Sequence, residues 1–262
     1  MIEKITVRHN GKIKLLSAVS TKKGREKYGS FLVEGKRMVS EAVCYAKNSI
    51  NFIAVSELFV NNNKELLNEL ECTGLKIVSV PDSIFNSIAD TATPQGIAAA
   101  VSKPPAAEPD VEEAERVLIL DGVSEPGNMG TIIRTAEAAG IEYIFIMRGC
   151  VDVYNPKTVR ATMGSIFRMK FIYLNKYEQI DKLRQSGFKV IASSLRGGID
   201  LRENRDKILK SCSRRAVVVG SEAFGVSDEL LSRADLKVYI PMNGSVESLN
   251  AAVAAGILMY LI

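Results

Sequence analysis

Histidine is nearly absent from this chain: its 262 residues hold one, His9. That excludes a multi-histidine metal centre and argues against histidine acid–base catalysis, so proton handling falls to other groups. Cysteine is scarce too. Cys44, Cys72, Cys150 and Cys212 are widely spaced and form no C-x-x-C pair. Neither a zinc site nor a disulfide framework is indicated; no metal is expected, and the setting is read as reducing and cytoplasmic. Long hydrophobic runs are missing. The most apolar stretch, AAVAAGILMYLI (251–262), has twelve residues, short of the roughly 20 that a bilayer span needs. It reads as a buried helix, and no membrane association is expected. The opening MIEKITVRHNGKIK lacks the apolar core of a signal peptide. Two glycine signatures are also absent. Gly127, Gly130 and Gly140 do not have G-x-G-x-x-G spacing, and no GK[ST] follows them.

What is present is an ordinary globular composition, 47% apolar and 24% charged. The formal net charge of +4 is unevenly placed. Residues 1–37 carry ten Lys/Arg against three acids, a net +7, which leaves −3 on the rest. Residues 1–30 are read as a basic arm for a polyanion, most simply nucleic acid, with a solubilising terminus as the alternative. Arg8, Lys12, Lys14, Lys22, Lys23, Arg25 and Lys27 are its candidate phosphate contacts.

KPPAAEPD (103–110) holds three prolines and marks a stiff linker, taken as 103–113. Before it, residues 31–102 alternate helices (34–47, 63–72, PDSIFNSIA) with strands (50–56, 76–80, 96–102), a small α/β domain. After it, residues 114–262 show the alternation on a larger scale. Strands are predicted at 116–122, 142–147, 168–174, 188–194, 215–220 and 236–240. Helices are predicted at 129–139, 156–163, 177–186, 227–233 and 248–260. RAVVVG and VLIL are apolar without a period of two, as in a parallel sheet covered on both faces. Ligands in such sheets sit beyond the carboxyl ends of the strands.

Three loops at such ends stand out. EPGNMGTIIRTAEAAG (125–140) follows the strand VLILDGV, and a helix start near Met129 would make Asn128 its N-cap. Arg134 is then either a ligand contact or a solvated charge. VVVGSEAFGVS (217–227) puts Gly220 and Gly225 where a ligand approaches the backbone and Glu222 at a strand mouth; an ordinary surface turn is the alternative. VYIPMNGSVESLNAAVAAGILMY (238–260) runs from a strand end through a polar loop into an apolar helix, with Ser248 as its expected N-cap.

Together the loops resemble the three motifs of the SpoU (TrmH) family of RNA 2′-O-methyltransferases in the SPOUT superfamily. The first is N-x-G-x-x-x-R (Asn128, Gly130, Arg134). The second is G-x-E-x-x-G-x-S (Gly220, Glu222, Gly225, Ser227). The third is I-P-M-x-G-x-x-x-S-L-N (Ile240, Pro241, Met242, Gly244, Ser248, Leu249, Asn250). The ordered set spans residues 128–250. The N-terminal part is similar to the family's small substrate-binding domain, through FLVEG (31–35) and TPQGI (93–97).

The resemblance implies a mostly parallel α/β domain with a C-terminal trefoil knot, working as a homodimer packed through the knot. It implies S-adenosylmethionine bound in the knot, near Gly220, Ile240, Met242, Ser248 and Leu249. It implies methyl transfer to a ribose 2′-hydroxyl, with large-subunit (23S) ribosomal RNA favoured over transfer RNA by the separate small domain and the basic N-terminal arm. Arg134 is the implied key residue, with Asn128, Glu222, Ser248 and Asn250 around it. Arginine is normally fully protonated, so orienting the hydroxyl and adjacent phosphate suits it better than acting as a simple base. Arg160, in VRATMGS, is a further RNA candidate, or else a helix-surface charge. The rivals are a non-catalytic RNA-binding protein that keeps the fold and a nucleotide-dependent oxidoreductase; the missing glycine pattern counts against the latter.

Overall fold

The computed structural model describes residues 2–105, 111–244 and 248–262. Part of the expected linker, 106–110, lies outside them. The chain divides into two compact units: Met1–Pro105 with Asp152–Phe167, and Ala106–Val151 with Arg168–Ile262.

The first unit runs β1 (Glu3–Lys4), α1 (Gly11–Val19), α2 (Lys22–Tyr28), β2 (Ser30–Glu34), α3 (Lys36–Ala46), β3 (Ile50–Ser56), α4 (Glu57–Asn62), α5 (Lys64–Cys72), β4 (Ile77–Val80), α6 (Asp82–Ile88) and β5 (Ile97–Ser102). Its five-stranded mixed sheet has the order β1-β4-β3-β5-β2, with β5 antiparallel to both of its neighbours.

The basic arm expected over 1–30 is instead folded. Asn10 caps α1, accepting from the Lys12 amide at 2.8 Å, and Thr21 caps α2, accepting from the Gly24 amide at 3.1 Å. Ile13, Leu16 and Val19 fall on one face of α1 and enter the core with Phe52, Val78 and Phe85. Only three residues of α1 are buried, and the charges on either side of them make the segment read as an arm.

The second unit continues with β6 (Arg116–Asp121), α7 (Pro126–Ala138) and β7 (Tyr143–Ile146). The chain then contributes α8 (Pro156–Ala161) to the first unit. This excursion was expected to belong with the larger domain. Its Tyr154 and Phe167 rings pack against Phe31 of β2, which explains the grouping. The chain returns as β8 (Lys170–Tyr173), α9 (Glu178–Gln185), β9 (Lys189–Ser193), β10 (Ile199–Asp200), α10 (Leu201–Ser211), β11 (Arg215–Gly220), α11 (Asp228–Arg233), β12 (Leu236–Tyr239) and α12 (Ala251–Leu261).

The seven strands form an all-parallel sheet of order β10-β12-β9-β11-β6-β7-β8. Its centre, β11 and β6, is buried on both faces, as the unbroken apolar runs require. Their register pairs Gly220 with Asp121, the last residue of each strand. The loops that follow therefore leave the sheet side by side. No helix among the described residues is long and apolar enough to cross a membrane.

Two helix starts differ from expectation. Helix α7 begins at Pro126, with Glu125 as its cap accepting from the Asn128 amide at 2.6 Å. Asn128 thus lies inside the first turn. Helix α12 is capped by Asn250, not Ser248; the Asn250 side chain accepts from the Ala252 and Val253 amides at 2.9 and 3.3 Å. Nor is α12 buried all round: Val253 is 51% and Tyr260 62% exposed. Arg116 and Arg205 donate to the carbonyls of Met259 and Leu261 at its carboxyl end. Helix α10, LRENRDKILKS, was missed because only Leu201 and Ile208 are buried, too few to show a period.

Candidate active site

The carboxyl edge of the parallel sheet gathers the three loops. Freed from capping, the Asn128 side chain acts as a bridge. Its Nδ2 donates to Glu222 Oε1 at 2.6 Å, and its Oδ1 accepts from Asn250 Nδ2 at 2.9 Å. One amide thereby ties residues 94 and 122 positions away, one from each later loop, to the first. Asn250 is doubly engaged, since its own Oδ1 caps α12. The charge-assisted bond to Glu222 fixes which way the Asn128 amide faces and leaves the second carboxylate oxygen of Glu222 for a ligand.

The middle loop is held from both sides. Ser221 and Gly225 exchange two backbone hydrogen bonds, 3.0 and 2.9 Å, closing a tight turn. A Cβ on Gly220 would lie 2.0 Å from the Gly225 carbonyl carbon, so only glycine fits at the strand end. The Ser227 amide donates to Asp121 Oδ2 at 2.8 Å. Asp121 is a positioning residue that sequence reasoning missed; a buried acid closing an apolar strand was the available signal. Cys150 lies near the loop after β6, its Sγ donating to the Leu120 carbonyl at 3.3 Å. Burial pushes its thiol up to about 11, which rules it out as a thiolate nucleophile at neutral pH.

Of the other expected residues, Arg134 stands exposed on α7, outside the hydrogen-bonded chain. Ser248 is exposed. Ile240, Met242 and Leu249 line a cavity of about 440 Å³, shared with Leu201 and with Ile257 and Leu261 of α12. Gly220 lies against the middle loop at the end of β11. No cluster of metal-binding side chains occurs among the described residues.

In the first unit, Arg8, Lys14, Lys22, Lys23 and Lys27 are exposed. Lys12 is ion-paired with Glu3, and Arg160 with Asp90 at 2.6 Å. Arg25 is a correction. It is 2% exposed, its Nε donates to Asp152 Oδ2 at 2.8 Å, and its Nη1 donates to the carbonyls of Val19 and Ser20. A guanidinium so enclosed cannot meet an RNA phosphate.

The SpoU rRNA methylase family pattern matches residues 115–260, more than half of the chain. The chain belongs to that family. A second pattern, the MRM3-like substrate binding domain, matches residues 10–99. Among relatives, the Bacillus subtilis 23S rRNA (guanosine(2553)-2′-O)-methyltransferase RlmP is 36% identical, over 96% of this chain and 95% of that protein. The human mitochondrial rRNA methyltransferase 3 is 29% identical, over 94% of this chain and 70% of its own length. Among solved structures, an AdoMet-bound rRNA methyltransferase from Sinorhizobium meliloti superposes with a TM-score of 0.83 at 28% identity, covering 99% of this chain and 97% of that one. The match over 10–99 includes α1 and α2, in keeping with their place in the first unit's fold.

Proposed function

We propose that this protein transfers a methyl group from S-adenosylmethionine to a ribose 2′-hydroxyl of large-subunit ribosomal RNA. The observation that carries the reading is the side-chain chain Asn250–Asn128–Glu222, which joins the three motif loops of the family at one sheet edge. The cavity beside it suits the cofactor. Its volume, about 440 Å³, lies within the usual range for small-molecule sites. Its Ile240, Leu249 and Ile257 walls suit a purine ring, and Met242 and Ser248 border the same loop.

When bound, S-adenosylmethionine supplies an activated methyl group together with its leaving group. What this chain must add is orientation, because no histidine, thiolate or metal cluster stands at the described site to take a proton. Asn128, fixed at both ends, holds Glu222 and Asn250 in register. Glu222 offers its second oxygen to a hydroxyl or amine. Arg134 is exposed on α7, and we assign its guanidinium to an RNA phosphate beside the 2′-oxygen, stabilising charge as the hydroxyl proton passes to a phosphate oxygen and on to water. We place the RNA-binding charge of the first unit on Arg8, Lys14, Lys22, Lys23 and Lys27, with Lys12 and Arg160 contributing through shared ion pairs. Val253 and Tyr260, exposed and seven residues apart on one face of α12, support a homodimer through the C-terminal segment, which we take to form the family's trefoil knot in a cytoplasmic protein.

Incubation with labelled S-adenosylmethionine and total RNA, followed by mapping of the modified ribose, tests the reading. Label on a base, or on transfer RNA alone, would overturn it. Arg134→Ala should abolish transfer while calorimetric cofactor affinity survives; near wild-type turnover would remove Arg134 from its role.

A further inference from the structure

The catalytic loops occupy the ends of β6, β11 and β12, yet the same edge continues across β7 and β8. There a cleft of about 550 Å³ opens, lined by Met147, Arg148, Asn175, Lys176, Tyr177 and Glu178. Nothing in the proposed chemistry uses it. Arg148 and Lys176 are exposed, and neither has an ion-pair partner among the described residues. That sets them apart from Arg168, Arg184 and Arg233 of the same unit, which pair with Glu137, Asp235 and Glu229. Glu178 reduces the cleft's net charge to a single positive one, and its field also acts on the Arg233 guanidinium.

The cleft is built rather than incidental. Gln179 Oε1 accepts from the amides of Asn175 and Lys176 at 2.8 and 3.1 Å, which fixes the turn that carries them. Tyr177 has Arg233 over its ring at 6.0 Å, and the Ser227 hydroxyl donates to its own at 3.5 Å. Ser227 belongs to the middle catalytic loop, so that contact couples cleft and loop. On that loop Phe224 is 93% exposed, although its backbone is pinned by a 3.1 Å bond from its amide to Ser221 Oγ. An aromatic ring presented to solvent from an anchored backbone serves stacking better than packing.

We propose that the Arg148–Lys176 cleft binds the phosphate backbone of single-stranded RNA flanking the target nucleotide, and that Phe224 stacks on a neighbouring base. The inference rests on the methyltransferase reading for its substrate class. Unpaired cations beside a tyrosine, with an exposed aromatic ring on a loop of the same sheet edge, are what a single strand requires. From β11 to β8 is three strand spacings, about 14 Å, a reach suited to a short extended stretch.

Fluorescence anisotropy of the full chain with a labelled oligouridylate, over a potassium chloride series, tests it. Removing two phosphate contacts in Arg148→Ala/Lys176→Ala should lower the slope of log affinity against log salt by about 1.4. Phe224→Ala should weaken binding about tenfold with the slope unchanged. Calorimetric S-adenosylmethionine affinity, equal in all variants, shows that the fold is intact. A wild-type slope in the double variant overturns the subsite. If the slope falls but the wild-type protein transfers no label to RNA, the subsite stands and the methyltransferase reading fails. If transfer occurs and the slope is unchanged, the subsite alone fails.

Discussion

Replacing Asp152 by asparagine should destabilise the first unit far more than its position in a loop suggests. The carboxylate is the charge partner of Arg25, which is 2% exposed. Asparagine keeps the shape, and its Oδ1 can still accept from the Tyr154 amide, as Asp152 does at 2.9 Å. The substitution therefore isolates the charge. Breaking a buried pair from one side costs about 3–5 kcal/mol, because the remaining ion stays out of water. Two carbonyls still accept from Arg25 Nη1 and Asp152 is itself partly exposed, so the lower end applies, about 3 kcal/mol. That corresponds to exchange about two orders of magnitude faster for amides that open only with the whole unit. Hydrogen exchange by mass spectrometry reads it separately in each unit. Peptides from β2 and β5 should accelerate, while β11 should keep its wild-type rate. Adding Arg25→Met should recover part of the loss, since the buried charge is then gone. Unchanged exchange in β5 would refute the reasoning, as would equal acceleration in β11.

Asn128→Ala cuts the bridge between the catalytic loops and should lower methyl transfer about 100-fold, the loss typical of one preorganised hydrogen-bonding group, with little change in cofactor affinity by calorimetry. Asp235 offers a pH test: burial opposes its ionisation, but hydrogen bonds from Arg184 and the Val190 amide outweigh burial and hold its carboxyl below the usual value. Its contribution is therefore present above the unfolded carboxyl pKa, about 3.9, and lost as pH falls through the folded value. The gap in urea midpoint between wild type and Asp235→Asn should be open at neutral pH and close in acid; a gap that stays constant counts against it. The wild-type chain should sediment as a dimer and Val253→Asp with Tyr260→Asp as a monomer; a wild-type monomer would remove the proposed dimer, and a persistent dimer in the variant would mean that α12 does not form its interface.

Much of the larger unit was legible because its central strands are buried on both faces. Runs such as RAVVVG leave little doubt between strand and loop, and the strand ends then locate the loops. The motif residues were legible as a set, yet their local roles were not. Capping preference alone puts an asparagine before a helix, and at Asn128 that rule lost to Glu125–Pro126, a better start three residues earlier. At α12 the rule held for Asn250 and failed for Ser248, which stands too far ahead of the first helical turn. Arg25 was illegible for a different reason. Its partner lies 127 residues away, and a cation in a basic segment reads as solvated until that partner is placed.

The geometry also explains why these loops must be specified so tightly. A parallel sheet sets strand ends at fixed spacing, but the side chains that meet there come from segments 94 and 122 residues apart. Asn128 connects them only because each neighbour is independently anchored. Asn250 is anchored by capping α12, whose far end is held by Arg116 and Arg205. The loop bearing Glu222 is anchored by the Ser221–Gly225 turn and by Asp121 on Ser227. Position 220 admits no side chain, with backbone 2.0 Å from where a Cβ would be. The polar frame is therefore held in register by the chain's own hydrogen bonds. Such alignment is what a reaction dependent on orientation, more than on acid–base strength, demands of its protein.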